Sequence, residues 1–187
     1  MGWQLRDYVF AAFMTVGMVL SVFIVGPFVP PPFQLIVWAP IGALFLTLGM
    51  ARLQKRGSVA LMILPMALLL GLQSVSMTVY LALTVLMTEL VIVFRGSYRT
   101  KANRLLGTLV FFETAIVIGI VALVFIVGGD YARLANQPWI FLGMAIAIGL
   151  AATLGWWLGE QVVNQLRRAG KLDADTDAND ATPDADV

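Results

Sequence analysis

The chain has 187 residues, of which 60% are apolar and 12% are charged, and its mean hydropathy is +0.89. Soluble domains are about 45–50% apolar and about 25% charged, so this composition excludes a soluble globular protein and predicts an integral membrane protein. The net charge is only +1, and the chain contains no cysteine and no histidine, which excludes disulfides, thiolate nucleophiles, zinc sites and histidine-ligated haem.

The first apolar run predicts a retained first helix over residues 8–26, because no signal-peptide cleavage site follows it. Three consecutive prolines, Pro30–Pro32, then predict an extended, rigid loop. A second helix is expected over residues 33–53, and it ends at a short basic segment, residues 54–57. At about 20 residues per span, the chain before its polar end has room for six such helices.

The next stretch, residues 58–94, lacks lysine and arginine and is too long for a single span. It therefore predicts two short helices joined by a tight turn, and two further helices follow the basic loop 95–104 and the polar segment 128–138. The four expected helices cover residues 58–73, 76–94, 105–127 and 139–163.

The end of the chain differs in composition from the predicted transmembrane domain, residues 1–170. Residues 171–187 are rich in aspartate and alanine and contain few large apolar side chains, so they cannot bury a core. This composition predicts a disordered acidic tail.

The orientation of the predicted helices follows from the positions of lysine and arginine, which accumulate in cytoplasmic loops. With both termini inside, 11 of the 12 basic residues lie on the cytoplasmic side, and Arg133 alone lies outside. The sequence thus predicts an all-α, six-helix bundle in the cell membrane, multi-pass, with both termini cytoplasmic.

Small and acidic residues within the predicted spans indicate how the helices pack. The sixth helix carries small residues at every fourth position, a spacing that allows close helix contact: Gly143, Ala147, Ala151, Gly155 and Gly159. Glu89 lies near the basic loop and is expected to form a structural ion pair. Glu113 lies deeper, about 13 Å from Arg104 along the helix, and two roles remain open for it, structural hydrogen bonding and transport chemistry.

Aromatic and uncharged polar residues collect at the predicted outer ends of the helices. Two interpretations remain open: a small-molecule pocket, which combines apolar area with a few orienting dipoles, and an aromatic belt at the lipid headgroups. Under the first, the candidate substrate-binding residues are Gln34, Trp38, Gln73, Ser74, Ser76, Tyr80, Asp130, Tyr131, Asn136 and Trp139.

Four segments, in this order, carry a resemblance to a known family: LRDYVFAAFMTVG, GPFVPPPF, TELVIVFRGSYRTKANR and GLAATLGWWLGEQVVNQLRRAGK. Over about residues 5–171 the chain resembles the substrate-binding subunits (S-components) of energy-coupling factor (ECF) transporters, and it is most similar to the Trep_Strep group of integral membrane proteins.

The resemblance implies a six-helix protein that captures a vitamin or related micronutrient and has no catalytic residues, cofactor or metal of its own. It also implies as partners a membrane coupling subunit and two ATPase subunits, which power uptake, and no nucleic acid. In that family an AxxxA motif on the first helix contacts the coupling subunit. The matching positions here are Ala11, Ala12, Thr15 and Val16, where threonine and valine replace the second alanine.

Two other functions remain as alternatives. One is a small intramembrane enzyme that acts on lipid with Glu89 or Glu113 as the acid, and the other is a ligand-free assembly subunit. The enzyme is disfavoured, because acid–base chemistry usually needs a second positioned group and the predicted spans contain no histidine, cysteine or lysine. Nucleotide hydrolysis is excluded for this chain, because it lacks a GxxxxGK[ST] loop.

Overall fold

The computed structural model describes residues 3–72, 74–122, 124–125, 128 and 137–172, and these residues form an all-helical bundle. A single-turn 3-10 helix, Gly26–Phe28, follows the first of six α-helices. The α-helices are α1 (Leu5–Val25), α2 (Pro31–Leu53), α3 (Ser58–Gly71), α4 (Val75–Arg95), α5 (Lys101–Ala122) and α6 (Pro138–Arg168). The predictions of an all-α fold and of six helices are confirmed.

Five of the six helices are long and apolar enough to cross a membrane, which fits a multi-pass membrane protein. The exception is α3, whose 14 residues span about 21 Å at 1.5 Å per residue. A hydrocarbon core is about 30 Å thick, so α3 alone is shorter than a full span. The described residues therefore contain five helices that are long and apolar enough to cross a membrane and one short apolar helix.

The proline segment between α1 and α2 differs from the expected extended loop. Pro30 is the N-terminal flanking residue of α2, and Pro31 and Pro32 form the first two positions of that helix. Proline is well suited to the first turn of a helix, because the N–H that it lacks has no intrahelical partner there. The connection between the two helices is therefore short, and α2 begins two residues earlier than predicted.

Helices α1, α5 and α6 also extend beyond their apolar runs. Gln4 and Asp7 form a capping box that starts α1 at Leu5, and α5 starts at Lys101 because Thr100 accepts a hydrogen bond from the Asn103 N–H at 3.1 Å. Helix α6 continues to Arg168 through polar residues with good helix propensity. Hydropathy locates the apolar part of a helix but not its polar ends.

The predicted end of the fifth helix at residue 127 and most of the predicted tail lie outside the described residues.

The helices form a ring in the order α1, α3, α4, α5, α6 and α2, and α2 closes it between α6 and α1. Helix α2 also contacts α3 and α5. The most extensive pair is α2 with α6. A Cβ added at Gly155 would clash with the Pro40 carbonyl oxygen, and one at Gly159 would lie 2.8 Å from Thr47 Cβ. These two glycines let the backbones of α2 and α6 approach closely.

The rest of the small-residue stripe on α6 has a different environment. Gly143 is exposed, and a Cβ there would meet nothing within 4 Å. Ala147 and Ala151 are half-buried. The close approach to α2 is thus made by the part of the stripe nearest the end of α6.

Candidate functional site

A cavity of about 370 Å³ lies between the helices at one end of the bundle. This end, the cavity end, is where α1 finishes, α2 begins and α3 connects to α4. All six helices contribute lining residues, and α6 does so through Met144. The residues that line it include Gln34, Trp38, Ser76, Tyr80, Phe111, Gly119 and Met144.

The polar groups of the cavity lie at its mouth. Gln34 and Ser76 belong to the first turns of α2 and α4. Tyr80 lies one turn further along α4, but helical side chains lean towards the helix N-terminus, so its hydroxyl extends back towards the mouth. A Cβ at Gly119, three residues before the end of α5, would lie 4.0 Å from that hydroxyl. Gly119 therefore leaves open the space beside the Tyr80 side chain.

The Gln34 side chain connects the start of α2 to the segment before it. Its Nε2 donates hydrogen bonds of 2.9 Å to the carbonyl oxygens of Gly26 and Val29. Both donors of the amide are thereby used, and its carbonyl oxygen is left as an acceptor. The amide thus fixes the rim of the cavity and still offers one acceptor to a ligand.

Aromatic and thioether side chains form the deeper walls. Trp38 is almost fully buried, and its Nε1 donates a 2.8 Å hydrogen bond to Ser21 Oγ of α1. Its ring lies 5.6 Å from the ring of Phe112, which contacts Phe111 edge-on at 5.3 Å. Because the indole N–H is already satisfied, Trp38 presents an apolar surface to the cavity.

The structure brings together only some of the predicted binding residues. Gln34, Trp38, Ser76 and Tyr80 line the cavity, and Ser74 does not line it but shares a 2.5 Å hydrogen bond with Ser76. Trp139 lies on the outer surface of α6 and is 70% exposed, as expected for a belt residue. The remaining four candidates, Gln73, Asp130, Tyr131 and Asn136, lie outside the described residues.

The sequence reasoning missed the deeper half of the cavity. Phe111, Ala115, Ile116 and Met144 line it but resemble other apolar residues of a membrane helix. The sequence contains no local signal that separates a cavity wall from a lipid-facing surface, because both are apolar.

A buried ion pair occupies the opposite end of the bundle, here called the basic end. Arg104 of α5 is fully buried, and its Nε and Nη2 bind the two carboxylate oxygens of Glu160 of α6 at 2.6 and 3.1 Å. Its Nη1 donates to the carbonyl oxygens of Tyr98 and Arg99 at 3.1 and 2.8 Å. One guanidinium therefore joins α5, α6 and the α4–α5 connection. Sequence reasoning missed Glu160, although it directly follows Gly159 on the packed face of α6.

Glu89 stabilises the start of a neighbouring helix instead of forming the expected ion pair. Its carboxylate accepts hydrogen bonds from the backbone N–H groups of Gly57, Val59 and Ala60 at 2.8, 2.9 and 3.2 Å. These N–H groups at the N-terminus of α3 have no intrahelical partner, and the helix dipole favours a negative charge there.

Burial and the nearby Glu89 carboxylate raise the pKa of the Tyr98 phenol in the α4–α5 connection.

Glu113 is half-buried on α5 and faces α6. A Cβ added at Gly149 would lie 2.8 Å from a Glu113 carboxylate oxygen, so the glycine makes room for this side chain. Glu113 is not among the residues that line the cavity. This position separates it from the candidate ligand site.

The four predicted contact residues on α1 lie on two different faces. Ala11 is 2% exposed and Thr15 is 4% exposed, and the Thr15 hydroxyl donates a 2.7 Å hydrogen bond to the Met62 carbonyl oxygen of α3. Ala12 and Val16 are exposed on the outer surface. Ala11 and Thr15 thus pack inside the bundle, and Ala12 and Val16 alone are available to a partner.

No family model, curated protein or solved structure matches the chain.

Proposed function

We propose that the protein is the substrate-binding subunit of an ECF-type transporter and that it takes up a vitamin or related micronutrient. The observation that carries this proposal is the cavity at one end of the bundle, with polar groups at its mouth and aromatic walls below. Ligand sites typically combine a concave apolar surface with a few polar groups that orient the ligand. Its volume of about 370 Å³ falls within the range of small-molecule sites.

Uptake against a gradient requires energy that this chain cannot derive from nucleotide itself, since it has no phosphate-binding loop. A membrane coupling subunit and two ATPase subunits would supply it. The exposed positions Ala12 and Val16 on α1 are the proposed contact with the coupling subunit, because a small side chain lets a partner helix approach closely.

Native mass spectrometry of the purified protein tests the binding function, because it detects any bound small molecule by its mass. We expect a small molecule to co-purify with the wild-type chain and to be lost from Gly119→Leu, because the leucine side chain would occupy the space beside Tyr80. The matched control is Gly143→Leu, which makes the same substitution in a helix at an exposed site with no neighbour within 4 Å. A ligand that stays bound to Gly119→Leu, or no ligand in any of the three proteins, would contradict the proposal.

We also propose six membrane spans with the basic end in the cytoplasm and the cavity end outside. The basic end contains the connections 54–57 and 96–100 with the helix turns beside them, and the end of α6. Together these hold nine of the 12 basic residues, in agreement with the positive-inside rule. In this arrangement α3 crosses the membrane as a short helix, with the bilayer thinned locally or its flanking residues completing the span.

Single cysteines test this orientation cleanly, since the native chain has none. Ser97→Cys lies in the α4–α5 connection, and Asn136→Cys lies shortly before α6. An impermeant thiol reagent applied to intact cells should label Asn136→Cys at once and Ser97→Cys only after permeabilisation. Labelling of Ser97→Cys in intact cells would reverse the proposed orientation.

A further inference from the structure

The walls of the cavity discriminate by charge. None of its described lining residues is an aspartate, glutamate, lysine or arginine. A charged group that leaves water for such a site would lose its hydration without gaining a counter-ion, which is strongly unfavourable. The described walls therefore favour a ligand without formal charge.

The floor of the cavity suits a flat ring. Phe111 lies eight residues before Gly119 on α5, so it is about 12 Å deeper along the helix axis. Together with Trp38 and Met144 it forms an apolar surface with two aromatic rings. Aromatic rings favour offset-stacked or edge-on contact with other rings, and thioethers pack well at ring edges.

Among the described lining residues, free hydrogen-bonding capacity lies at the mouth. The Trp38 N–H is used by Ser21, and the Gln34 amide donors are used by backbone carbonyls. The Gln34 carbonyl oxygen, the Tyr80 hydroxyl and the Ser76 hydroxyl, which also bonds to Ser74, remain for a ligand. No described residue is a hydrogen-bond partner of the Tyr80 hydroxyl. A polar substituent of a ligand can therefore form hydrogen bonds at the mouth, but it finds no free partner among the described residues of the floor.

From these three observations we propose that the cavity binds an uncharged, flat ring compound with one hydrogen-bonding substituent, which enters with its ring first. The ring packs against Trp38 and Phe111, and the substituent bonds to Tyr80 and Gln34 at the mouth. This assignment of the ligand class rests on the proposed function.

Naphthalene derivatives of equal ring size test the proposal in lipid nanodiscs at pH 7 by equilibrium dialysis. We expect 2-naphthol to bind to the wild-type protein and 2-naphthoate and 2-naphthylmethylammonium to bind at least tenfold more weakly. Gly119→Leu should abolish the binding of 2-naphthol, and Gly143→Leu should preserve it, which separates cavity binding from partition into lipid.

The Tyr80→Phe variant tests the position of the polar group. Loss of one hydrogen bond should weaken 2-naphthol binding about three- to tenfold and leave naphthalene binding unchanged. Equal weakening of both compounds, or of neither, would overturn the assignment of Tyr80.

Two further outcomes would overturn the ligand class. One is a charged probe that binds as tightly as 2-naphthol and is blocked by Gly119→Leu, a result that leaves the proposed binding function intact. The other is the absence of 2-naphthol binding while a small molecule co-purifies with the wild-type chain. The proposed function fails through different outcomes: no small molecule co-purifies with the wild-type chain, or the molecule that co-purifies also stays bound to Gly119→Leu.

Discussion

Arg104→Met should lower the free energy of unfolding by about 3–5 kcal/mol, the usual cost of removing one partner from a buried ion pair. The substitution leaves the Glu160 carboxylate buried without its two guanidinium hydrogen bonds. It also leaves the carbonyl oxygens of Tyr98 and Arg99 without the donor that they share. Thermal and denaturant unfolding in detergent, followed by tryptophan fluorescence, measures the loss.

A double-mutant cycle with Glu160→Met separates the ion pair from general packing. Each single variant leaves one buried charge, whereas the double variant Arg104→Met/Glu160→Met leaves none, so it should be more stable than the Arg104→Met single variant. Arg104→Lys is the conservative control, and its free energy of unfolding should lie between those of wild type and Arg104→Met. Lysine keeps the charge but cannot bind both carboxylate oxygens in a fork. Additive losses in the double variant would show that the pair contributes no coupling energy.

Ala12→Trp should abolish ATP-dependent uptake by the proposed ECF-type transporter and leave ligand binding unchanged. Ala12 is exposed on α1, so a large ring there meets lipid or a partner and not the interior of the bundle. The ring would hold a partner helix away from a surface that a small side chain allows it to approach. Uptake into proteoliposomes that contain the coupling and ATPase subunits, with binding measured on the isolated subunit, gives the two readouts.

Two matched variants make this result interpretable. Ala12→Ser keeps the side chain small and should transport normally. Ala11→Trp replaces the adjacent buried residue, which is 2% exposed, and should unfold the protein instead of uncoupling it. Normal uptake by Ala12→Trp would exclude this face of α1 as the contact with the coupling subunit.

Much of the fold could be predicted from the chain itself. Apolar runs separated by prolines, glycines and clusters of basic residues predicted six helices, and six helices are present. The errors are at their polar ends: Pro31 begins α2, Lys101 begins α5 and Arg168 ends α6. Capping, proline geometry and helix propensity decide these positions, and hydropathy does not report them.

The candidate site could be predicted only at its rim. Gln34, Ser76 and Tyr80 stand out as polar or amphipathic residues at the ends of apolar runs, and they lie at the mouth of the cavity. Trp139 has the same appearance in the sequence but faces outwards and is 70% exposed. The direction in which a side chain points depends on how its helix is rotated in the bundle.

The sequence by itself determined that the chain is too apolar for a soluble domain, how many helices it forms and how unevenly its basic residues are distributed. These properties depend only on composition and on order along the chain. The tertiary structure alone decided which apolar faces meet, since lipid and protein interior are equally apolar and leave no amphipathic pattern to read. It placed Ala11 against α3 but Ala12 outside. It also brought Arg104 to Glu160, 56 residues apart in the chain. Burial of this charge pair depends on the close approach of helices, and a linear sequence does not encode that approach locally.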